Sequence, residues 1–210
     1  NTLVWLPDGS GFVQGQSAHG APGIFVANID GDKWTTVKGS AGLNLAILNG
    51  GEQIAGVQQM GGLGLGIWNT KDGSPVSTIG EKVTSAAYSQ QQRRAWTGHS
   101  DGKATLWELP SGKLVKEFQI PGRAHAVAIS NNSSFGIVAA GNLLSMYLLP
   151  MEKVPNRRIQ VTFPVSIRAI AVSPIEFRTL VVGDQMTRIV DLKSSNSYTD
   201  IQSPIPASLP

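Results

Sequence analysis

Short runs in which apolar and polar residues alternate recur along the whole chain, and each gives way to a cluster of Gly, Asn, Asp, Ser or Pro. Alternation of period two, with β-branched and aromatic residues enriched, predicts antiparallel strands with one face turned to a core. Residues 83 to 120 show it most plainly: VTSAAYS, turn QQQ, RRAWTGH, turn SDG, KATLWEL, turn PSG, KLVKEFQI. No segment combines a capping residue with apolar positions at i, i+3, i+4 and i+7, so no helix is predicted.

The runs also repeat. An apolar residue closing a strand before a turn recurs at Trp5, Leu48, Tyr88, Ile129 and Val172, with spacings of 43, 40, 41 and 43. A second register, Ala27, Trp68, Trp107, Tyr147 and Val190, is spaced by 41, 39, 40 and 43. Both agree on units of about 42 residues, and five such units fill the 210-residue chain. Four short strands per unit at this period is the arithmetic of a β-propeller blade. The expected fold is therefore all-β: a single propeller domain over 1–203, with blades at 1–39, 40–80, 81–121, 122–163 and 164–203, and an extended Pro-rich tail at 204–210. Trp5, Ile47, Trp68, Ala87, Trp107, Val127, Ile137, Ile170 and Val181 are the expected sheet core.

The third unit, VTSAAYSQQQRRAWTGHSDGKATLWELPSGKLVKEF, resembles a WD40 repeat: an apolar strand, a small-residue strand, an Asp-Gly turn, a strand ending near Trp, and a Gly-Lys turn. LPDGSGFVQGQ at 6–16 and GIWNTKDGSPVSTI at 66–79 are similar to other parts of that repeat, with Trp68 at the Trp position. The usual Gly-His pair is missing from every unit, and Trp-Asp has become Trp-Asn or Trp-Glu. The resemblance implies a structural hydrogen-bonding role for Thr97, Asp101 and Trp107. It also implies a non-enzymatic scaffold, or a subunit of a multiprotein complex, that presents a rigid loop face to another protein. Rings of this family usually have about seven blades. The chain starts at Asn1 rather than Met, so two expectations stand: five blades close by themselves, or a further chain or segment completes a larger ring.

Composition changes this picture only at the edges. Seventeen basic against 14 acidic side chains leave a net charge of +3, too mild to point to nucleic acid. The chain has no Cys, which excludes disulfides, thiolate metal sites and cysteine nucleophiles. The longest apolar run, LLSMYLLPM at 143–151, is about half of what a membrane span needs, so no membrane insertion is expected. NTLVWLPDGSG lacks the features of a signal peptide. The compartment stays open, with a soluble, cytoplasmic protein favoured.

Counting strands places the loops that join one blade to the next on the same rim as those joining second and third strands. That rim collects Lys38, Lys82, Arg123 and Arg168, together with Asp101, Asn142, Asp184 and Gln185. Basic residues at four blade junctions predict a positive rim suited to an acidic protein surface. Trp96, beside Arg93 and Arg94, is the expected exposed anchor for such a partner. His19, His99 and His125 fall near the same rim, and a metal, small-ligand or enzymatic site at the channel mouth is the alternative reading. They lack local ligand spacing, and no cofactor is expected. GxSxG, P-loop and HExxH motifs are absent, and GGLGLG at 61–66 lies between two strands with no helix to present to a pyrophosphate.

Overall fold

Two turns of identical sequence show how the chain reverses. Asp8-Gly9-Ser10 and Asp72-Gly73-Ser74 each put glycine at a φ near +70° (72° and 68°), a conformation that costs other residues a Cβ clash. In each, one aspartate oxygen accepts both the serine amide, at 3.0 and 2.9 Å, and the serine hydroxyl, at 2.7 Å. Asx-type turns of this kind let short strands pair directly with their sequence neighbours.

The computed structural model describes residues 2–16, 23–30, 34–37, 42–58, 64–149, 158–173, 177–184, 186–193 and 198–200. They form five sheets of four antiparallel strands, each with strands in sequence order. The first contains β1 (Thr2–Trp5), β2 (Gly11–Gln16), β3 (Gly23–Asn28) and β4 (Trp34–Val37). The second contains β5 (Gly42–Leu48), β6 (Gln53–Gln58), β7 (Leu65–Asn69) and β8 (Pro75–Ile79). The third contains β9 (Val83–Ser89), β10 (Arg94–His99), β11 (Lys103–Glu108) and β12 (Lys113–Gln119). The fourth contains β13 (Ala126–Ile129), β14 (Phe135–Ala140), β15 (Leu143–Leu148) and β16 (Arg158–Thr162). The fifth contains β17 (Ile167–Val172), β18 (Arg178–Gly183), β19 (Met186–Asp191) and β20 (Tyr198–Asp200). No helix among the described residues is long and apolar enough to cross a membrane. The tail at 204–210 lies outside the described residues.

Each sheet packs on the next through its first strand: β1 and β2 against β5, β5 and β6 against β9, β9 and β10 against β13, and β13 and β14 against β17. No substantial contact among the described residues joins the first sheet to the fifth. Four apolar clusters fill the four junctions. Because side chains alternate between faces, a row of residues paired across four strands points one way. The row Tyr88, Ala95, Trp107 faces the second sheet, and the row one residue away, Ala87, Trp96, Leu106, faces the fourth.

The same register corrects one repeat marker. Trp68 pairs through Ile54 with Ile47, whereas Leu48 pairs with Gln53, so Ile47 is the second-unit equivalent of Tyr88. Leu45 to Leu48 are all buried, and a strand apolar on both faces hides its own alternation. Of the expected core, Ile47, Trp68, Val127, Ile137 and Val181 are buried, while Ala87, Trp107 and Ile170 are half-buried. Trp5 departs from expectation: it is 57% exposed, because its row faces away from the second sheet and no other described sheet packs on it.

Candidate functional site

Of the expected basic residues, Lys82, Arg123 and Arg168 lie where one sheet hands over to the next, and backbone bonds hold the first two of these loops. Lys82, at φ 56°, lies between β8 and β9, where its carbonyl accepts the Ser100 amide at 2.9 Å. Arg123 is exposed between β12 and β13. The next residue holds that loop at both ends: Ala124 donates its amide to the His99 carbonyl at 3.2 Å, and its own carbonyl accepts the Thr84 hydroxyl at 2.8 Å. Arg168 lies in β17 at the equivalent junction between the fourth and fifth sheets.

Their charges are not equally free. Lys82 Nζ lies 3.7 Å from Asp101 Oδ2. Arg168 Nε donates to Asp184 Oδ1, and this hydrogen bond, with the attraction of the carboxylate, raises the guanidinium pKa further. Arg123 has no ion-pair partner among the described residues. Asn142 is engaged, its side-chain amide donating to the Phe163 carbonyl at 3.0 Å. Lys38, His19 and Gln185 lie outside the described residues.

Behind this rim a chain of polar groups crosses the third sheet. Trp107 Nε1 donates to Thr97 Oγ1 at 2.8 Å, and Thr97 Oγ1 lies 2.9 Å from His99 Nε2. His99 Nδ1 lies 2.7 Å from the Glu81 carbonyl. A carbonyl can only accept, so Nδ1 carries a proton, and in the neutral ring Nε2 is then the acceptor of the Thr97 hydroxyl. The order of donation is therefore Trp107 to Thr97 to His99 to Glu81. The resemblance assigned Thr97, Asp101 and Trp107 to one bonded set. The structure keeps Thr97 and Trp107 but corrects Asp101, whose turn position directs its carboxylate to Lys82 instead. His99 takes part in its place, and the signal for it is the spacing Thr97-x-His99, which puts both side chains on one face of β10.

This arrangement also separates the histidines. His99 is buried with both ring nitrogens engaged, and His125 is exposed in the loop just before β13. Among the described residues no group of three or more His, Cys, Asp or Glu is placed to hold a metal ion.

Trp96 corrects a second expectation. Its indole is fully buried between the third and fourth sheets, donates from Nε1 to the Ile137 carbonyl at 3.0 Å, and lies edge-on to Phe118 with centroids 5.5 Å apart. A Cβ at Gly136 would stand 2.7 Å from the ring, so that glycine makes room for it. Trp96 is in mid-strand, out of a partner's reach, and Arg94 two residues earlier pairs with Ser89 toward the opposite rim.

On the opposite rim, where first strands end, Trp5, Pro7, Ile47, Tyr88 and Gln90 border an open groove of about 580 Å³. The Gln90 amide donates to the Ile47 carbonyl at 2.7 Å. The buried Tyr88 hydroxyl has no hydrogen-bond partner among the described residues, and burial raises its pKa. No protein-family model matches the chain, and no curated protein matches it in sequence.

Proposed function

We propose that this chain is a run of five WD40-like propeller blades and acts as a non-enzymatic interaction scaffold, presenting its junction rim to an acidic surface on another protein. The observation that carries this reading is Arg123. It is an exposed cation with no ion-pair partner among the described residues, next to Ala124, whose amide and carbonyl are both bonded, and between Lys82 and Arg168 at equivalent junctions. With the backbone held, only the side chain has to be ordered on binding, and its charge attracts a negative partner before contact. Lys82 and Arg168 contribute less to that attraction because Asp101 and Asp184 offset them.

The test is co-purification from the native source, followed by association kinetics with the recovered protein. Arg123→Glu should slow association roughly tenfold at low salt, and the difference should shrink as salt rises. Lys82→Glu should have a smaller effect. A partner that binds the Arg123→Glu variant at the original rate and with the original salt dependence refutes the rim as the contact surface.

A further inference from the structure

Every sheet carries two facing rows, one turned to its predecessor and one to its successor. Between the second and third sheets the giving row is Ala46, Ala55, Ile67 and Ser77, and the receiving row is Tyr88, Ala95, Trp107 and Leu114. Ala55 and Ile67 are fully buried there, packed with Ala95, Tyr88 and Trp107. A small residue on the first strand, aliphatic residues in the middle and a hydroxyl on the fourth thus meet a row whose first strand offers an aromatic ring.

Two rows of this kind have no cover. In the first sheet the receiving row is Trp5, Phe12, Ala27 and Trp34, in direct register across all four strands. Its rings meet edge-on, Trp5 to Phe12 at 6.0 Å and Phe12 to Trp34 at 5.8 Å. Trp5 is 57% and Trp34 53% exposed, and Leu3 beside them is 57% exposed. In the fifth sheet the giving row is Ala171, Leu180, Ile189 and Thr199. It repeats the second sheet's order of small, aliphatic, aliphatic and hydroxyl residues, yet Ile189 is 37% exposed where its equivalent Ile67 is fully buried. The first and fifth sheets make no substantial contact with each other among the described residues, so both rows are uncovered within the described residues.

We propose that the chain associates with itself head to tail, the first-sheet face of one copy packing on the fifth-sheet face of another and repeating the second-to-third-sheet junction between molecules. The occupant follows from the chain's own construction, since four junctions show what covers such a receiving row and the missing complement is exposed at the other end. The contact is heterologous, so both a closed pair and longer assemblies are compatible with it. It extends the scaffold reading but uses other residues, so the two can fail separately.

Sedimentation of the full chain over a concentration series should show monomer giving way to larger species. Trp34→Glu and Ile189→Glu should each weaken self-association tenfold or more, and neither variant alone should form long assemblies. Mixed, they should form a one-to-one pair that does not grow, because each retains the face that the other lacks. Thermal melting at low concentration checks folding, with Trp5→Ser and Thr199→Arg as replacements for a variant that fails it. Arg123→Glu should leave self-association unchanged. A chain that stays monomeric up to roughly 1 mM overturns the proposal. So does loss of association by Trp34→Glu but not Ile189→Glu, which would mean symmetric pairing through the first sheet.

Discussion

Trp96 and Trp34 are the same residue type on the same kind of sheet, and they sit in opposite surroundings. Trp96 lies between two sheets, fully buried, with its N–H bonded and Gly136 leaving room for its ring. Trp34 lies on the outward face of the first sheet, half exposed, in an aromatic row that ends the run of junctions. The difference shows that the rows are alike in kind and that the neighbour decides whether a row is core or surface. Aromatic character by itself does not distinguish the two.

The largest expected effect would break this contrast if it failed. Trp96→Ala should destabilise the fold by about 3–5 kcal/mol, since it removes a large buried ring from a packed junction. Trp34→Ala should change monomer stability by only about 0.5 kcal/mol in either direction. Urea unfolding at low protein concentration measures both, and similar losses would show that the outward face is part of the folded core.

A smaller effect sharpens the comparison from inside the third sheet. Thr97→Val keeps the shape but leaves Trp107 Nε1 and His99 Nε2 without the hydroxyl they share. The expected loss is about 1–3 kcal/mol, the cost of buried polar groups left unbonded. No measurable loss in urea unfolding would mean that the chain of donors carries no stability.

The smallest effect belongs to the turns. In the native state the Ser10 and Ser74 amides, and then their hydroxyls, hold the Asp8 and Asp72 carboxyls below the ordinary value of 3.8. Such groups contribute stability that is present above the unfolded value and lost as pH falls through the lowered native one. Asp72→Asn should therefore flatten the fall in melting temperature between pH 5 and pH 3, slightly, because the group is exposed. Parallel curves for variant and parent would remove the turn from the account of acid sensitivity.

Much of the fold is legible in the alternation and the period. The third unit reads strand by strand because its runs have one clean apolar face each, and β9 to β12 fall where VTSAAYS, RRAWTGH, KATLWEL and KLVKEFQI predict them. The second unit's marker slips by one residue because β5 is buried on both sides near its end. Trp96 looks like surface in the sequence because arginines precede it, but mid-strand position outweighs sequence neighbours. Trp5 looks like core because its register matches that of Tyr88, and no sequence pattern says which unit stands at an open end. At the candidate site the junction cations are legible by counting, whereas their pairing is not. Lys82 with Asp101 and Arg168 with Asp184 depend on side-chain reach across loops that only the folded geometry sets.

Each sheet here is made of consecutive strands, and among the described residues each substantial junction joins consecutive sheets. Folding can then proceed as a one-dimensional process: a single unit pairs its strands locally, and each later unit docks on the last one formed. No substantial junction among the described residues must wait for a part of the chain beyond the neighbouring unit, which bounds the loop-closure cost of docking. During synthesis the first sheet can be complete before the fifth leaves the ribosome. Opening should begin at either end of the run and reach the middle sheets last.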